Sequence, residues 1–279
     1  MAKKKNPDEM SFLDHLEELR WHLIRSTIAI VIVGVVAFTM KEFIFDTVIF
    51  GPKKMDFPTY RFFCKIATFF EIESDFCADA LPFSIQNRTM AGLFSAHIWT
   101  SIWAGIIIGF PYILYEFWKF ISPGLYEKER RNSKGFIIIA SLLFFLGVLF
   151  GYYVVAPFSI NFLGGYYLSD EISNEIDLSD FIATVKISVL SCGIMFELPI
   201  VVFFLTKVGL VTPEVLKKHR KIALVVVLIL AALITPPDVI SQIVVAIPVF
   251  ILYQASIYIS KRVLKREAKK AKKDVAKSS

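Results

Sequence analysis

The sequence lacks the short motifs that carry most nucleotide, zinc and acyl-transfer chemistry. It contains no Walker loop, no zinc-binding motif and no Gly-x-Ser-x-Gly elbow. His97 lies in an apolar segment without an evident nucleophile partner. These absences exclude an intramembrane enzyme, and we expect neither a cofactor nor a metal ion.

Hydrophobic residues dominate the composition instead. They make up 56% of the 279 residues, and the mean hydropathy is +0.60, which is too apolar for a soluble domain of this length. The net charge of +6 does not indicate nucleic-acid binding. It is concentrated at 261–277, where lysines beside a span report topology and contact with anionic lipid. The polar amino terminus shows no pattern of a cleaved signal peptide. We therefore expect an all-α polytopic membrane protein.

Six apolar segments predict six transmembrane helices. The fifth is shorter than the roughly 20 residues that usually span a bilayer, and the sixth follows it closely. The Thr-Pro-Pro-Asp sequence at 235–238 separates them and predicts a tight turn between two helices. The predicted spans are residues 23–40, 92–115, 136–157, 181–208, 222–234 and 239–259.

Basic residues predict the orientation of these spans. Both tails and the connections around 119–134 and 217–221 are cationic, whereas 158–180 holds five acidic residues and no Lys or Arg. By the positive-inside rule, both termini are cytoplasmic. The long outer loop at 42–90 carries basic residues and fits less well, but long translocated loops weigh less in this rule. The domain prediction is a basic tail at 1–10, a single six-helix membrane domain at 11–260 and a basic tail at 261–279.

Two of the three cysteines, Cys64 and Cys77, lie in the outer loop, on the side where thiols can oxidise. A disulfide between them would close a short loop and stabilise the fold by roughly 3 kcal/mol in the chain-entropy model. The alternative is two unpaired cysteines. Cys192 lies within the fourth predicted span and is expected to be a small packing residue.

The segment at 11–23, Ser-Phe-Leu-Asp-His-Leu-Glu-Glu-Leu-Arg-Trp-His-Leu, leads into the first span. Ser11 and Asp14 resemble a capping box, which predicts a helix start. Carboxylates at a bilayer surface, such as that of Glu18, are repelled by anionic headgroups. Their presence here therefore indicates that they bind a cationic ligand. The alternative is a solvated charged helix.

A second stretch on the same predicted side, residues 111–131, combines aromatic residues with carboxylates. Pro123 and Gly124 break the helix and leave an aromatic surface at the membrane edge. Such a surface suits a guanidinium, which pairs with a carboxylate through two hydrogen bonds and stacks on a ring. The alternative is an aromatic belt with snorkelling charges.

Four separated motifs resemble the TatC subunit of the twin-arginine protein translocase. In chain order they are His15-Leu-Glu-Glu18-Leu-Arg20, the stretch from Pro111 to Arg130, Phe196-Glu197-Leu-Pro199, and Thr235-Pro-Pro-Asp238 with Ser241-Gln242. The resemblance covers the whole membrane region. It implies a cup-shaped architecture of six helices with both ends inside, located in the cytoplasmic (inner) membrane.

The resemblance also implies a function. The chain would be the core receptor subunit that binds the paired-arginine signal peptide of folded cargo. Its partners would be TatA/TatB-like single-span subunits and other copies of itself, and the proton-motive force would drive export. Residue by residue, the receptor site falls on Glu18 and Glu129, surrounded by Arg20, Phe120 and Pro123. His22 stands where the family usually has an arginine, so the positive charge there depends on pH.

Glu197 lies well inside the fourth predicted span, where an ionisable group costs at least about 2.5 kcal/mol. We expect it to be functional and to face water or partner helices, and a structural hydrogen bond is the alternative. By the same resemblance, Thr235 and Gln242 receive the small single-span subunits. A secondary transporter or proton channel built around Glu197 is the second interpretation, although the two halves show no convincing repeat.

Overall fold

The computed structural model describes residues 12–71, 75–121, 133–166, 168–169, 174–234 and 239–278. This part of the chain is mostly helical and divides into two compact units. The first unit comprises Met1–Gly51, Ile85–Leu142 and Asp177–Ile182, and the second comprises Pro52–Ser84, Leu143–Ile176 and Ala183–Ser279.

The helices follow the apolar segments of the sequence. They are α1 (Phe12–Thr39), α2 (Pro58–Phe69), α3 (Gly92–Ile121), α4 (Ser133–Phe150), α5 (Ala156–Gly165), α6 (Leu178–Phe196), α7 (Leu198–Lys207), α8 (Pro213–Lys218), α9 (Arg220–Ile234) and α10 (Val239–Ser278). A π-helical turn at Gly151–Val155 joins α4 to α5, and further short turns lie at Phe43–Ile49, Gly51–Lys53 and Asp75–Cys77. Strands β1 (Ser84–Gln86) and β2 (Glu175–Asp177) pair in a two-stranded sheet.

Five helical segments of the described chain are long and apolar enough to cross a membrane. They are His15–Thr39, Gly92–Ile121, Gly135–Gly165, Leu178–Lys207 and Gln242–Lys265. The predicted fifth span falls on α9, which has 15 residues. At 1.5 Å per residue α9 is about 22 Å long, which is shorter than a hydrocarbon core of about 30 Å. A sixth crossing therefore stays a prediction.

In the first unit, α1 packs closely against α3 because small residues line the contact. A Cβ atom added to Gly105 would lie 2.5 Å from the backbone oxygen of Ile30, and one added to Gly34 would lie 3.3 Å from that of Ser101. Only glycine allows the two backbones to approach so closely, as is common between membrane helices. At one end of this pair, the ring of His97 stacks on Phe38 at 3.8 Å.

The core of the second unit is formed by the short helix α9, by α10, by α6 and by the turn at Gly151–Val155. Its buried residues are Val155, Cys192, Val227, Ala231, Val245, Ala246 and Val249. Cys192 is 1% exposed and packs as the sequence predicts. A buried hydrogen bond adds to this packing, since the Thr206 hydroxyl of α7 donates to the Ser260 hydroxyl of α10 at 2.9 Å. The short helix α9 is thus held by burial against a longer neighbour.

The loop before α3 is anchored by a buried tyrosine and a disulfide. The Tyr60 side chain is fully buried, and its hydroxyl lies 2.8 Å from the backbone oxygen of Pro52 and 3.2 Å from that of Pro157. Burial raises the pKa of this phenol above its usual range. Cys64 on α2 is joined to Cys77 by a disulfide that closes a sequence separation of 13 residues.

Replacing Cys64 and Cys77 together by serine should lower the free energy of unfolding by roughly 3 kcal/mol, because the unfolded chain regains the entropy of this loop. The midpoint of thermal unfolding in detergent measures the loss. Reductant should lower the midpoint of the wild-type protein to the same value and leave the double variant unchanged. A thiol titration of denatured, unreduced protein should find one thiol, and three thiols would contradict the disulfide.

Candidate functional site

An aromatic and charged cluster occupies the amino-terminal part of α1 and the carboxyl-terminal part of α3. His15, Glu18 and His22 follow one another at intervals of three and four residues, so they share one face of α1. The ring of Phe120, on α3, stacks on His15 at 4.5 Å and meets the edge of His22 at 6.1 Å. Because Phe120 touches the residues on either side of Glu18, this face of α1 is turned toward α3.

Glu18 and Phe120 are both half-buried. Glu18 lies on the face of α1 whose neighbouring residues, His15 and His22, contact Phe120. Arg20 is exposed and lies outside the shared face. It lines a groove of about 430 Å³ along α1, together with Leu16, Leu19, Leu23, Ile24, Thr27 and Ile28.

Two residues of the predicted site, Pro123 and Glu129, lie outside the described residues, as does Thr235. Their assignment stays a prediction. Phe120 is the penultimate residue of α3.

A buried pair of a histidine and a carboxylate lies one helical turn further along α1 and α3, away from Phe120. The carboxylate oxygen Oε2 of Glu116 lies 2.5 Å from Nδ1 of His22 and 3.8 Å from Nη1 of Arg25. Glu116 is 3% exposed and His22 is 9% exposed. Tyr112, one turn back on α3, also hydrogen-bonds the Glu116 carboxylate. Removing one partner of such a buried pair leaves the other without its hydrogen bond, which costs about 1 to 3 kcal/mol and more when the remaining group is charged.

Glu116 is a residue of this cluster that sequence reasoning missed. Its spacing of four residues from Phe120 puts both on one face of α3, and His22 stands where the resemblance of the sequence implies an arginine. These two signals together point to Glu116, but only the packing of α1 on α3 shows that the two residues meet. The side chain of His22 is therefore a structural partner of a buried carboxylate.

Glu197 lies at a break between α6 and α7. Pro199 has no N–H to donate and its ring crowds the preceding turn, so the backbone there shifts to a tighter hydrogen bond from Glu197 N to Ile194 O at 3.0 Å. The side chain is half-buried. Its Oε1 atom is buried and has no hydrogen-bond partner among the described residues. A carboxylate placed in this way has the capacity to bind water or a polar group.

Gln242 lies in the first turns of α10. Its Nε2 donates to the backbone oxygen of Leu228 on α9 at 3.0 Å, so the amide ties the two helices together. Docking of a partner helix at Gln242 stays a prediction. Among the described residues, no group of three or more His, Cys, Asp or Glu side chains is placed to hold a metal ion.

Long apolar helices that carry such a cluster at one end define an α-helical polytopic membrane protein with a polar site near the bilayer edge. The family described as TatC, Sec-independent protein translocase protein, matches residues 14–248. The chain belongs to this family and is a protein translocase component of the Tat system.

Relatives from several bacteria agree with this assignment. The chain is 47% identical over 265 residues to the Sec-independent protein translocase protein TatC of Blattabacterium sp. subsp. Periplaneta americana, covering 95% of this chain and 100% of that protein. It is 35% identical to the TatC protein of Desulforapulum autotrophicum, covering 99% and 93% of the two chains. A crystal structure of the twin-arginine translocase receptor TatC in DDM is similar with a TM-score of 0.68 and 33% identity, covering 88% of this chain and 99% of that one.

Proposed function

We propose that this chain is the receptor subunit of a twin-arginine translocase, and that it binds the paired arginines of signal peptides on folded cargo. The observation that supports the proposal is the contact of Phe120 with His15 and His22, the residues that precede and follow the half-buried Glu18 on the same face of α1. A guanidinium can pair with a carboxylate and stack on a ring at the same time. The similarity to crystal structures of a protein named as a twin-arginine translocase receptor supports the same role.

Glu129 is the second carboxylate of the proposed site. Two guanidinium groups need two carboxylates, and a lysine pair would supply charge without the planar fork. The assignment rests on the position of Glu129 in the motif Glu127-Lys-Glu129-Arg130. Arg20, Phe120 and Pro123 complete the site in this proposal.

The groove along α1 offers a place for the rest of the ligand. A signal peptide carries an apolar segment of roughly 7 to 15 residues after its basic part. Leucine and isoleucine side chains dominate the lining of the groove. We place the apolar segment of the signal peptide against α1, next to the arginines.

In the same proposal, the chain works in the cytoplasmic membrane with six spans and both termini in the cytoplasm. TatA/TatB-like single-span subunits dock near Thr235 and Gln242, further copies of the chain assemble with it, and the proton-motive force supplies the energy. The basic residues of the tails and of 217–221 support this orientation. They would also contact anionic lipids.

Binding of a twin-arginine signal peptide to the purified protein tests the receptor function. The matched control is the same peptide with both arginines replaced by lysine, which keeps the charge and removes the fork. We expect at least tenfold weaker binding of the lysine peptide. Equal binding of both peptides would favour the second candidate, a secondary transporter or proton channel, which is suggested by the unpartnered Oε1 of Glu197 among the described residues.

Glu197→Gln should impair transport more than signal-peptide binding, because Glu197 lies at the break between α6 and α7 and is not one of the proposed receptor residues. Glutamine keeps the size and polarity of the side chain while it removes the charge. Export assays with one fluorescent cargo and peptide binding to the purified variant measure the two effects. An equal loss of both would place Glu197 in the receptor site instead.

A further inference from the structure

The outer surface of α2 carries an apolar stripe that the packing of the second unit leaves exposed. Tyr60 and Ala67 are buried on its inner side. On the opposite side, Phe62, Ile66 and Phe69 are 60%, 38% and 81% exposed. Spacings of three and four residues place these three side chains on one helical face. We call them the outer stripe of α2.

Basic residues lie along one edge of the outer stripe. Arg61 and Lys65 are exposed and are four residues apart, so they form a second row beside the apolar one. The helix itself, Pro-Thr-Tyr-Arg-Phe-Phe-Cys-Lys-Ile-Ala-Thr-Phe, contains no Asp or Glu. An aromatic face bordered by Lys and Arg is the pattern of helices that lie in the interface of a bilayer with anionic lipids.

The contacts of α2 place it at the level of a membrane surface. The Thr59 hydroxyl donates to the backbone oxygen of Tyr153, and the Tyr60 hydroxyl lies 3.2 Å from that of Pro157. Both acceptors belong to the segment Gly135–Gly165, which is long and apolar enough to cross a membrane. At 1.5 Å per residue, Tyr153 and Pro157 lie about 27 and 33 Å from Gly135 along this segment. If the segment enters the hydrocarbon core near Gly135, a core of about 30 Å ends between Tyr153 and Pro157, where α2 is attached.

The orientation of the outer stripe is fixed by covalent and packing constraints. The Cys64–Cys77 disulfide holds α2 on the side opposite to the stripe. Phe57, which precedes the helix, stacks on Tyr153 at 5.5 Å. Because Tyr60 is fully buried, the helix cannot rotate to hide Phe62 and Phe69 without losing this anchor.

We propose that α2 is an interfacial anchor: its outer stripe inserts into the boundary between headgroups and acyl chains of the surrounding bilayer, and Arg61 and Lys65 bind anionic headgroups. The partner is the lipid surface itself. The anchor rests on the geometry of α2 and does not depend on signal-peptide binding, so either proposal can fail alone.

Spin labels on neighbouring residues of the full chain test the anchor. Phe69→Cys places a label on the outer stripe, and the matched control Thr68→Cys places one a hundred degrees away, on the exposed polar side. Labelling without reductant keeps the Cys64–Cys77 disulfide closed, and Cys192 is 1% exposed. The protein is reconstituted in vesicles of phosphatidylcholine with a quarter phosphatidylglycerol.

The labels are then read by collision with oxygen, which concentrates in the bilayer, and with a water-soluble nickel chelate. If α2 is an interfacial anchor, the ratio of collisions with oxygen to collisions with the nickel chelate should be at least threefold higher for the label at residue 69 than for the label at residue 68. Equal preference for the nickel chelate at both positions would overturn the proposal. Exclusion of both reagents at residue 69 would also overturn it, since protein, such as a second copy of the chain, would then cover the stripe.

The basic row has its own test in the same vesicles. Arg61→Glu combined with Lys65→Glu should shift the label at residue 69 toward the nickel chelate when phosphatidylglycerol is present, and much less in pure phosphatidylcholine. No lipid-dependent shift would overturn the role of the two basic residues. An unchanged disulfide and an unchanged thermal midpoint show that each variant is folded.

Discussion

Replacing Glu18 and Glu129 together by alanine is expected to abolish export of cargo with twin-arginine signal peptides, while the protein still inserts into the membrane. Each guanidinium would lose a charge-assisted hydrogen-bond partner worth about 1.5 to 3 kcal/mol. The two losses together weaken peptide binding by about two to four orders of magnitude. Titration of the purified variant with a signal peptide measures the effect, and an export assay in cells shows its consequence.

The neighbouring acids offer a matched control for this experiment. Glu17 and Glu127 carry the same charge within one or two residues of the proposed site. Glu17 is exposed, whereas Glu18 is half-buried on the face shared with His15 and His22. The variant with Glu17→Ala and Glu127→Ala should therefore keep most of its binding and export. Normal export by the Glu18 and Glu129 variant, or equal damage from both pairs, would contradict the site.

Replacing Glu116 by leucine is expected to destabilise the protein by about 1 to 3 kcal/mol, because the buried Nδ1 of His22 then loses its hydrogen-bond partner. The thermal midpoint in detergent should fall sharply. Phe120 should also lose its fixed position, since His22 packs against its ring at 6.1 Å. Peptide binding by whatever folded protein remains should weaken as well.

A second substitution distinguishes the contribution of the His22–Glu116 interaction to stability from that of simple packing. Replacing His22 by leucine in the Glu116→Leu background should recover much of the stability, because two apolar side chains of suitable size can replace a buried pair at little cost. The non-additivity of the two changes gives the coupling energy of His22 and Glu116. A double variant as unstable as the sum of the single ones would show that the two residues contribute independently.

The contact between His22 and Glu116 gives a physical reason for a histidine at a position where the resemblance implies an arginine. In the sequence, His22 only replaces an expected arginine. In the structure, Nδ1 of His22 lies 2.5 Å from Oε2 of Glu116 where α1 packs on α3. Nη1 of Arg25 lies 3.8 Å from the same carboxylate oxygen. A carboxylate at residue 116 compensates a histidine that is charged, and a neutral histidine can still donate one hydrogen bond to it.

The resemblance to the TatC family implies the site residues, and their residue types and spacing favour the same assignment. It assigns Glu18 and Phe120 to one site because both lie at the same predicted end of their spans and both match motifs of that family. Glu116 could not be assigned, since an apolar helix surrounded by lipid does not reveal from its pattern which face meets a neighbour. The buried hydrogen bond of Thr206 with Ser260 was missed for the same reason, because the two residues are 54 positions apart.

The amino-acid sequence by itself determined that this is a helical membrane protein, where most long helices lie and to which family it belongs, because these follow from hydrophobicity, charge and motifs along the chain. The tertiary structure alone decided that Glu116 holds His22, that α9 is a 15-residue helix packed on α10, and that α2 turns Phe62 and Phe69 outward. These facts depend on which faces of distant segments meet. The faces that meet are determined by close approach at glycines and by the hydrogen-bond partners of buried polar atoms. The local sequence pattern reveals neither of these.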